Sequence, residues 1–270
     1  MQKVTANETY LINDLQRTEF WQNGHILLCD VATSDEIERF QPAIKKASYT
    51  YSTETRSLEE RDTYGKAFLQ IMNLWRYDEE VKKFVFAKKF AQIAADLLGV
   101  EKVRLYHDQA LFKEPNGGHT PWHQDQYYWA LDTTKTITMW MPLVNIDDEL
   151  GMLTFASGSH KKGAIGSIEI SDESEETYNK YIAEHGFPIA KADAMNAGDA
   201  TFHLGWTIHS AGANHSATKT REVMTIIYYA DGAKITEPQN QNQINDIEAW
   251  MGGKNVGEFA DSELNPILND

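Results

Sequence analysis

Residues 136–156 read TITMWMPLVNIDDELGMLTFA, and this stretch decides the fold class. Two apolar runs, 136–144 and 152–156, are rich in β-branched, aromatic and methionine residues, and a polar turn separates them. Short apolar runs bounded by Gly, Asn and Asp are typical of strands in a sandwich or barrel. The stretch therefore predicts two β-strands joined by a turn.

Similar runs occur on both sides of this stretch. Strands are also predicted at Val103–Phe112, Ala200–Leu204 and 222–230, and turn sequences such as PNGG at 115–118 separate them. Short strands at regular spacing are typical of a β-sandwich or a jelly roll. The second half of the chain is therefore predicted to be a β-sheet core.

The first hundred residues have a helical pattern around one early strand, which is predicted at 24–31. The stretch TSDE at 33–36 offers helix N-cap residues, and the helix after it is predicted to run towards Lys46. Apolar residues recur at helical spacing over 79–98, which predicts a single helix with Gly99 just past its end. Helices in one half of the chain and strands in the other make the predicted class α+β.

The composition argues against several functional classes. A net charge of −15 over 270 residues offers no basic stripe, which disfavours nucleic acid and anionic membranes as partners. The N-terminal sequence has no signal-peptide pattern and no apolar run reaches the length of a membrane span, so a cytoplasmic protein is expected. The one cysteine, Cys29, excludes an intrachain disulfide framework, and its setting HILLCDV predicts a buried core thiol. The oligomeric state is left open.

An acidic stretch, DESEET at 172–177, lies in a long insertion between predicted strands. Its simplest interpretation is a solvated loop. A lid over a binding site is the alternative, because long insertions in a compact domain are often functional.

His123-Gln124-Asp125 is the first motif that suggests chemistry. In an extended segment, residues i and i+2 point to the same side, so an imidazole and a carboxylate can reach one metal ion. The pair alone is weak evidence, because a chain with nine histidines can contain an H-x-D sequence by chance. It gains weight from its position after a predicted strand and the turn at 115–118.

A second imidazole would complete the set of two histidines and one carboxylate that binds iron and leaves three positions open. His203 lies within an apolar strand, where a hydrogen-bonded core histidine is the simplest interpretation, and His215 lies in a polar loop. His209 lies between them, where a strand breaks into a small-residue turn. We therefore predict His209 as the third ligand.

Arg221 follows His209 at the start of the last predicted strand. A guanidinium there could hold a carboxylate through a two-pronged, charge-assisted bond, although in isolation Arg221 could equally be a surface residue. Iron with open positions can be chelated by 2-oxoglutarate through its C1 carboxylate and keto oxygen, and the far carboxylate then needs a fixed cation. H-x-D, the later histidine and the arginine together are therefore a more specific signal than any of them alone.

These segments resemble the phytanoyl-CoA dioxygenase family of Fe(II)- and 2-oxoglutarate-dependent oxygenases. The resemblance covers nearly the whole chain and is carried by ALFKEPNGGHTPWHQDQYYW, TMWMPLVNIDDELGMLTFASGSH and AGDATFHLGWTIHSAGAN. It implies a double-stranded β-helix (jelly-roll, cupin-like) core at about residues 100–232. It also implies helical support from residues 1–99, within a single domain over residues 1–270.

In that family the H-x-D pair and the later histidine bind Fe(II), and these correspond to His123, Asp125 and His209. The following arginine, which corresponds to Arg221, binds the C5 carboxylate of 2-oxoglutarate, and O₂ is the second cosubstrate. The tryptophan in the strand after H-x-D corresponds to Trp140 and lines the cosubstrate pocket, with a core aromatic as the alternative.

Further cosubstrate contacts are expected near Ala110, on the strand before H-x-D. Well-known members of the family have a serine two residues after the distal histidine, where this chain has Ala211; Ser210 is the nearest substitute. Those members also have a basic residue on the helical side of the pocket. Gln70 or Asn73 could serve in its place here.

The resemblance implies hydroxylation of an unactivated C–H bond of a natural-product or lipid-like small molecule, with release of succinate and CO₂. Asp125 occupies the position at which related halogenases have a small residue, and a carboxylate there favours oxygen insertion or another outcome of hydrogen abstraction. Tyr127, Tyr128 and Trp129 could line the substrate pocket and favour an apolar substrate, or they could be core aromatics. No catalytic residue is predicted beyond the metal ligands.

Two alternatives remain at this point. A cupin-type metal enzyme that does not use 2-oxoglutarate would keep the histidines and the carboxylate but would not need Arg221. A non-catalytic jelly-roll binding module would have structural histidines and would not bind iron.

Overall fold

The computed structural model describes residues 9–166 and 168–270, so the first eight residues of the predicted helical support lie outside the described part. Most of the helices in this part precede the β-rich region. None of them is long and apolar enough to cross a membrane. In chain order the helices are α1 (Asp14–Asn23), α2 (Ser34–Tyr51), α3 (Thr63–Ala67), α4 (Glu79–Val85), α5 (Lys88–Leu98), α6 (Asp172–His185) and α7 (Gln241–Trp250).

The strands form two main antiparallel sheets. In chain order they are β1 (His25–Leu28), β2 (Leu69–Met72), β3 (Val103–Phe112), β4 (Thr120–His123), β5 (Thr136–Pro142), β6 (Ile146–Asp147), β7 (Leu153–Ala156), β8 (Ile189–Lys191), β9 (Ala194–Met195), β10 (Ala200–Leu204), β11 (His209–Ala211) and β12 (Val223–Ala230). The six-stranded sheet has the order β1-β10-β5-β12-β3-β2, and the four-stranded sheet has the order β4-β11-β7-β8. Strands β6 and β9 form a separate pair.

Alternate side chains of the six-stranded sheet have different environments. On β3, His107, Gln109 and Leu111 line an internal cavity, whereas Ala110 and Phe112 pack in the apolar core on the opposite face. The two-residue period of a strand produces this division. Because residues of the four-stranded sheet line the same cavity, the cavity lies between the two sheets. The predicted α+β class with a jelly-roll core is confirmed.

Helices cover the other face of the six-stranded sheet. Helix α5 packs against β3, β5 and β12, and its buried side chains include Phe90, Ile93 and Leu97. Phe84 of α4 contacts Phe90, and Phe40 of α2 contacts Phe84, with ring centroids 5.1 and 5.5 Å apart. Each fully buried side chain of this kind contributes about 1.5–3 kcal/mol to folding. The helical layer therefore stabilises the back of the sheet whose front lines the cavity.

The helix predicted over 79–98 is two helices. Helix α4 ends at Val85 and α5 begins at Lys88, because Ala87 between them has an extended conformation (φ −64°, ψ 114°). The apolar face on both sides of the break is buried as the periodicity predicted. No Gly or Pro marks the break, so the sequence carried no signal for it.

Two further predictions were wrong. Cys29 is exposed, because β1 ends at Leu28 and the chain leaves the sheet there. The acidic stretch at 172–177 is not a loop but the beginning of α6. Ser171 accepts a hydrogen bond from the Ser174 N–H at 3.2 Å as the helix N-cap, and acidic side chains stabilise the first turn of a helix.

Gly151 marks a close crossing of two chain segments beside the cavity. It has φ +85°, and a Cβ atom there would lie 2.2 Å from the carbonyl oxygen of Gly212. We expect Gly151→Ala to lower the free energy of unfolding, measured by urea denaturation, by about 3 kcal/mol or more. Gly232→Ala is the matched control, since Gly232 has φ +88° with nothing within 4 Å of its Cβ position. It should cost only about 1–2 kcal/mol, and equal losses for the two variants would contradict the crossing.

Candidate functional site

Three side chains on two neighbouring strands and the turn after one of them line the same part of the cavity. His123 is the last residue of β4, Asp125 begins the short 3-10 turn that follows, and His209 is the first residue of β11. The strands pair so that His123 and His209 are directly opposite each other, with ring centroids 4.1 Å apart. The sheet register therefore brings together residues that are far apart in the sequence.

The donor atoms of these residues are close enough to share one metal ion. Nε2 of His123 and Nε2 of His209 each lie 3.5 Å from Asp125 Oδ1. The three ligand atoms all lie within 4.8 Å of one another, and both histidines are buried. Two imidazoles and one carboxylate on one face of an octahedron are the ligands of many non-haem iron oxygenases.

The second nitrogen of each histidine fixes the direction of its ring. Nδ1 of His123 donates to the backbone carbonyl of Pro121 at 2.8 Å, and Nδ1 of His209 donates to that of Thr207 at 3.0 Å. Because a carbonyl oxygen only accepts, each Nδ1 carries a proton, so in a neutral ring it is Nε2 that presents the lone pair. With both rings neutral, two lone pairs thus face the Asp125 carboxylate with no hydrogen between them. A cation at their centre would stabilise this arrangement.

Two further side chains orient Asp125. Thr138 Oγ1 donates to Asp125 Oδ2 at 2.8 Å, and His203 Nε2 lies 3.2 Å from the same oxygen. These contacts occupy Oδ2 and leave Oδ1 facing His123 and His209. Partners of this kind fix the ligands of metal sites in other proteins.

His203 is buried, as its simplest interpretation required, but it faces the cavity. Its neighbours Phe202 and Leu204 pack in the apolar core, so the alternation of β10 places His203 on the opposite face beside Asp125. That alternation, visible in ATFHL, was the signal that could have assigned it to the site. The contact with Asp125 itself depends on the pairing of distant segments.

The electrostatics of the site favour the states that bind a cation. Burial alone would raise the pKa of Asp125, but His209, His123 and His203 around it hold that pKa well below its usual value. Burial, with His123 close by, lowers the pKa of His209 well below its usual value. At neutral pH Asp125 is therefore ionised and His209 is neutral, which are the forms that coordinate metals.

Arg221 lines the same cavity and is only 1% exposed. Its Nη1 donates to the carbonyl oxygen of Gly151 at 2.8 Å, and its guanidinium carbon lies 5.4 Å from the ring centroid of Trp140. Its Nε has no hydrogen-bond partner within the described part of the chain. Burial lowers the pKa of Arg221 to about 9, so the side chain is still charged at neutral pH. A buried cation without an acidic neighbour is costly, and a bound anion would remove that cost.

The cavity has a volume of about 380 Å³, near the lower end of the ~300–1,000 Å³ typical of small-molecule sites. Arg221 is the only lysine or arginine among the described residues that line it. Several residues expected at the site from the sequence also line it: Gln70, Tyr128, Trp129 and Trp140.

Four residues expected at the pocket do not line it. Ala110 and Ser210 point away because each has the wrong strand parity, and the residues on either side of them line the cavity instead. Asn73 begins the turn after β2 with φ 52°, and its Oδ1 accepts a hydrogen bond from Trp75 Nε1 at 2.9 Å. Tyr127 also does not line the cavity. Its backbone carbonyl accepts a hydrogen bond from the side chain of a residue in α7.

Sequence reasoning missed one wall of the cavity. This wall belongs to α7, and its residues recur at spacings of three and four, as one face of a helix does. The periodicity was visible, but polar residues at helical spacing usually indicate a solvent face. Three residues of β3 were also missed, because the alternation of that strand could not show which face was internal. The missed residues of α7 and β3 are His107, Gln109, Leu111, Asn242, Asn245, Asp246, Ala249 and Trp250.

Comparisons with known proteins agree with this geometry. A model of the phytanoyl-CoA dioxygenase (PhyH) family matches residues 20–223. A curated relative, the probable alpha-ketoglutarate-dependent hypophosphite dioxygenase of Stutzerimonas stutzeri, is 20% identical over 215 residues, which are 76% of this chain and 75% of the relative.

Solved structures share the fold across nearly the whole chain. The alpha-ketoglutarate-dependent carbocyclase SnoK from nogalamycin biosynthesis superimposes with a TM-score of 0.78 at 21% identity, covering 98% of both chains. The epimerase SnoN, in complex with Fe³⁺, alpha-ketoglutarate and nogalamycin RO, gives a TM-score of 0.76 at 20% identity, covering 93% of this chain and 96% of SnoN. The family match covers most of the sequence and includes all three residues of the histidine–aspartate–histidine cluster. The chain therefore belongs to the phytanoyl-CoA dioxygenase family of Fe(II)- and 2-oxoglutarate-dependent oxygenases.

Proposed function

We propose that the protein hydroxylates an unactivated C–H bond of a small molecule, with Fe(II) bound by His123, Asp125 and His209. Arg221 would bind the C5 carboxylate of 2-oxoglutarate. One observation carries the proposal: a cluster of metal-binding side chains and a buried guanidinium, which has no acidic partner in the described part of the chain, line the same cavity. Because the chain is a family member, it is a dioxygenase that uses Fe(II), 2-oxoglutarate and O₂. The two alternatives, a cupin-type metal enzyme that does not use 2-oxoglutarate and a non-catalytic binding module, therefore fall away.

The ligand set is suited to iron because hydrogen bonds fix the orientation of its side chains before the metal ion binds. The two Nδ1–H groups are held by backbone carbonyls, and Asp125 is held by Thr138 and His203. Iron bound there would supply the activation of O₂ that no side chain can provide. The protein's own contribution is to fix three ligands on one side of the ion and to leave the other side open to the cavity.

Arg221 and Trp140 provide the features of a carboxylate-binding pocket. The guanidinium is held from one side by the carbonyl of Gly151 and lies over the Trp140 ring, so its orientation is restricted before any ligand binds. A carboxylate that accepts from Nε would give a partner to this buried donor, which has none among the described residues. Nearby apolar side chains, including Leu153, would exclude water and strengthen this ion pair.

We also propose that the described chain acts as one catalytic unit. The cavity is lined by Gln70 of β2, by the core strands and by Trp250 of α7, so residues from the N-terminal, central and C-terminal parts contribute to it. Tyr128 and Trp129 would face a substrate bound near the iron.

Hydroxylation is proposed over halogenation because Asp125 fills the position that a chloride ligand would need. Relatives that share the fold are named as a carbocyclase and an epimerase, so the outcome has to be measured. A product heavier than its substrate by one oxygen atom supports hydroxylation. A product that has lost two hydrogens, or has only an inverted centre, would contradict it.

His209→Ala should abolish the visible charge-transfer band that forms when Fe(II) and 2-oxoglutarate are added without oxygen. The reason is that only two of the three proposed ligands would remain. His215→Ala is the matched control, because His215 is a nearby but exposed histidine and its variant should keep the band. A band of normal intensity in His209→Ala would remove that residue from the ligand set.

Thr138→Val should weaken Fe(II) binding by about 10- to 100-fold, because Asp125 would lose the donor that orients its carboxylate. Thr201→Val provides the comparison, since Thr201 is also buried but its hydroxyl has no partner among the described residues. Anaerobic titration with Fe(II) measures both dissociation constants. Equal affinities for the two variants would show that the Thr138 bond does not position the ligand.

Arg221→Met should raise the KM for 2-oxoglutarate by roughly 100-fold, since a charge-assisted pair of about 3 kcal/mol would be lost. Lys219→Met is the control, because Lys219 is an exposed cation two residues away that pairs with Glu149. Succinate release at varied 2-oxoglutarate concentration measures the effect. A KM that does not change in Arg221→Met would assign the cosubstrate carboxylate to a different cation.

A further inference from the structure

Three formally charged side chains line the cavity within the described part of the chain: Asp125, Arg221 and Asp246. The proposed function uses Asp125 for the metal and Arg221 for the cosubstrate. Asp246 is the charge that remains, and neither the iron site nor the cosubstrate site requires it. Its helix α7 lies beyond residues 20–223, where the family model matches, so family membership assigns it no role.

Helix α7 is fixed against the site at both ends. Its N-cap Asn240 and its residue Gln243 both donate side-chain hydrogen bonds to the carbonyl of Tyr127, at 3.3 and 2.9 Å. That carbonyl belongs to the turn that begins with Asp125. At the other end, Asn265 Nδ2 donates to the carbonyl of Trp250 at 3.1 Å. The helix is therefore a fixed wall of the cavity, and Asp246 has a defined position on it.

The carboxyl group of Asp246 has spare capacity to accept hydrogen bonds. Tyr106 donates its hydroxyl proton to Oδ2 at 2.9 Å, and the side chain of Trp250 also bonds to the group. A carboxylate can accept about four hydrogen bonds, so the protein satisfies only part of this capacity. Burial raises the pKa of Asp246 to about 7, and its bonds to Tyr106 and Trp250 only partly oppose this. A cationic partner would stabilise the ionised form.

No basic side chain competes for Asp246 in the cavity. Helix α7 contains Asp246 and Glu248 but no lysine or arginine, and Arg221 is the only arginine or lysine in the described lining. His107, whose ring centroid lies 5.8 Å from that of Trp250, is neutral because burial lowers its pKa to about 3. Apart from Arg221, the described cavity lining thus offers Asp246 only acidic or neutral side chains.

The surroundings also suit a cation in two other ways. The rings of Trp250, Tyr128 and Trp129 line the cavity, and aromatic faces attract ammonium groups. Near the start of α7, the exposed Glu169 accepts a hydrogen bond from Asn242 at 3.1 Å, which adds a second acid on this side. The chain as a whole carries a net charge of −15, which would steer cations toward it.

We propose that Asp246 binds a cationic nitrogen of the substrate, so that the substrate class is a small amine whose ammonium group lies against α7. This inference rests on the proposed function, because the remainder of the amine must extend from Asp246 toward the iron ligands. The expected substrate is then no longer wholly apolar, because it carries an ammonium group at one end. The apolar and aromatic walls would contact the carbon skeleton, and the acid would fix its charged end.

The test uses the protein loaded with Fe(II) and saturating 2-oxoglutarate in the absence of oxygen. Three probes of the same ring size are titrated near neutral pH: cyclohexylammonium, cyclohexanol and cyclohexanecarboxylate. Binding is measured by calorimetry and by the change in the visible band. We expect the ammonium probe to bind at least about tenfold more tightly than the alcohol, and the carboxylate probe to bind more weakly than both.

Asp246→Asn should reduce the preference for the ammonium probe to less than about twofold, because the amide keeps the size of the group but not its charge. Glu248→Gln removes one charge from the same helix outside the cavity and should keep the full preference. Equal binding of ammonium and alcohol to the unmodified protein, or an unchanged preference in Asp246→Asn, would overturn the inference.

The visible band separates this inference from the proposed function. A protein that forms the band with 2-oxoglutarate but does not prefer the ammonium probe retains the proposed function and refutes the substrate class. A protein that forms no band refutes both. If Asp246→Asn alone forms no band, the inference is judged from the ratio of ammonium to alcohol affinity in the unmodified protein and in Glu248→Gln. A tenfold or larger ratio in both supports it, and equal affinities overturn it.

Discussion

One carboxylate, Asp125, is the point on which the site depends, and its two oxygens have different partners. Oδ2 is held by the Thr138 hydroxyl and lies beside His203, whereas Oδ1 faces the Nε2 atoms of His123 and His209. Four strands contribute to this arrangement, because Thr138 lies on β5, His203 on β10, His123 on β4 and His209 on β11. The site therefore exists only when both sheets are correctly paired.

The cavity between the sheets contains groups that a structure optimised for stability alone would avoid. Arg221 is buried with no acidic partner among the described residues, and the Nε2 atoms of two histidines converge on a carboxylate. Unpaired charges in a protein interior cost free energy, and functional sites are where such costs are usually found. The apolar layer between the six-stranded sheet and the helices contributes stability instead, because it is closely packed with buried side chains from α5 and the sheet. The stability of that layer offsets the cost of the site.

Much of the fold and of the site could be predicted from the sequence, because both follow from local patterns. Strand alternation and turn residues located the main core strands, and the H-x-D motif with a later histidine identified a cluster that the structure brings within 4.8 Å. Ala110 and Ser210 show the limit of this approach. Ala110 lies on a correctly located strand and Ser210 on a short strand that was not predicted, but both side chains point away from the cavity, because a shift of one residue along a strand moves a side chain to the other face. The role of His203 depended on sheet pairing in the same way.

The part that could not be predicted depends on contacts between distant segments. Asp246 lies on a helix with a polar face, and only the docking of α7 on the turn after Asp125 shows that this face is internal. The break at Ala87 and the exposure of Cys29 likewise come from the way the chain meets its neighbours and not from residue type.

The most direct test of the central claim is a crystal structure of the protein prepared without oxygen in the presence of Fe(II) and 2-oxoglutarate. The account predicts one iron ion at about 2.0–2.2 Å from His123 Nε2, His209 Nε2 and Asp125 Oδ1, and a 2-oxoglutarate carboxylate hydrogen-bonded to Arg221. An iron ion bound elsewhere, or a cosubstrate whose carboxylate does not contact Arg221, would contradict it.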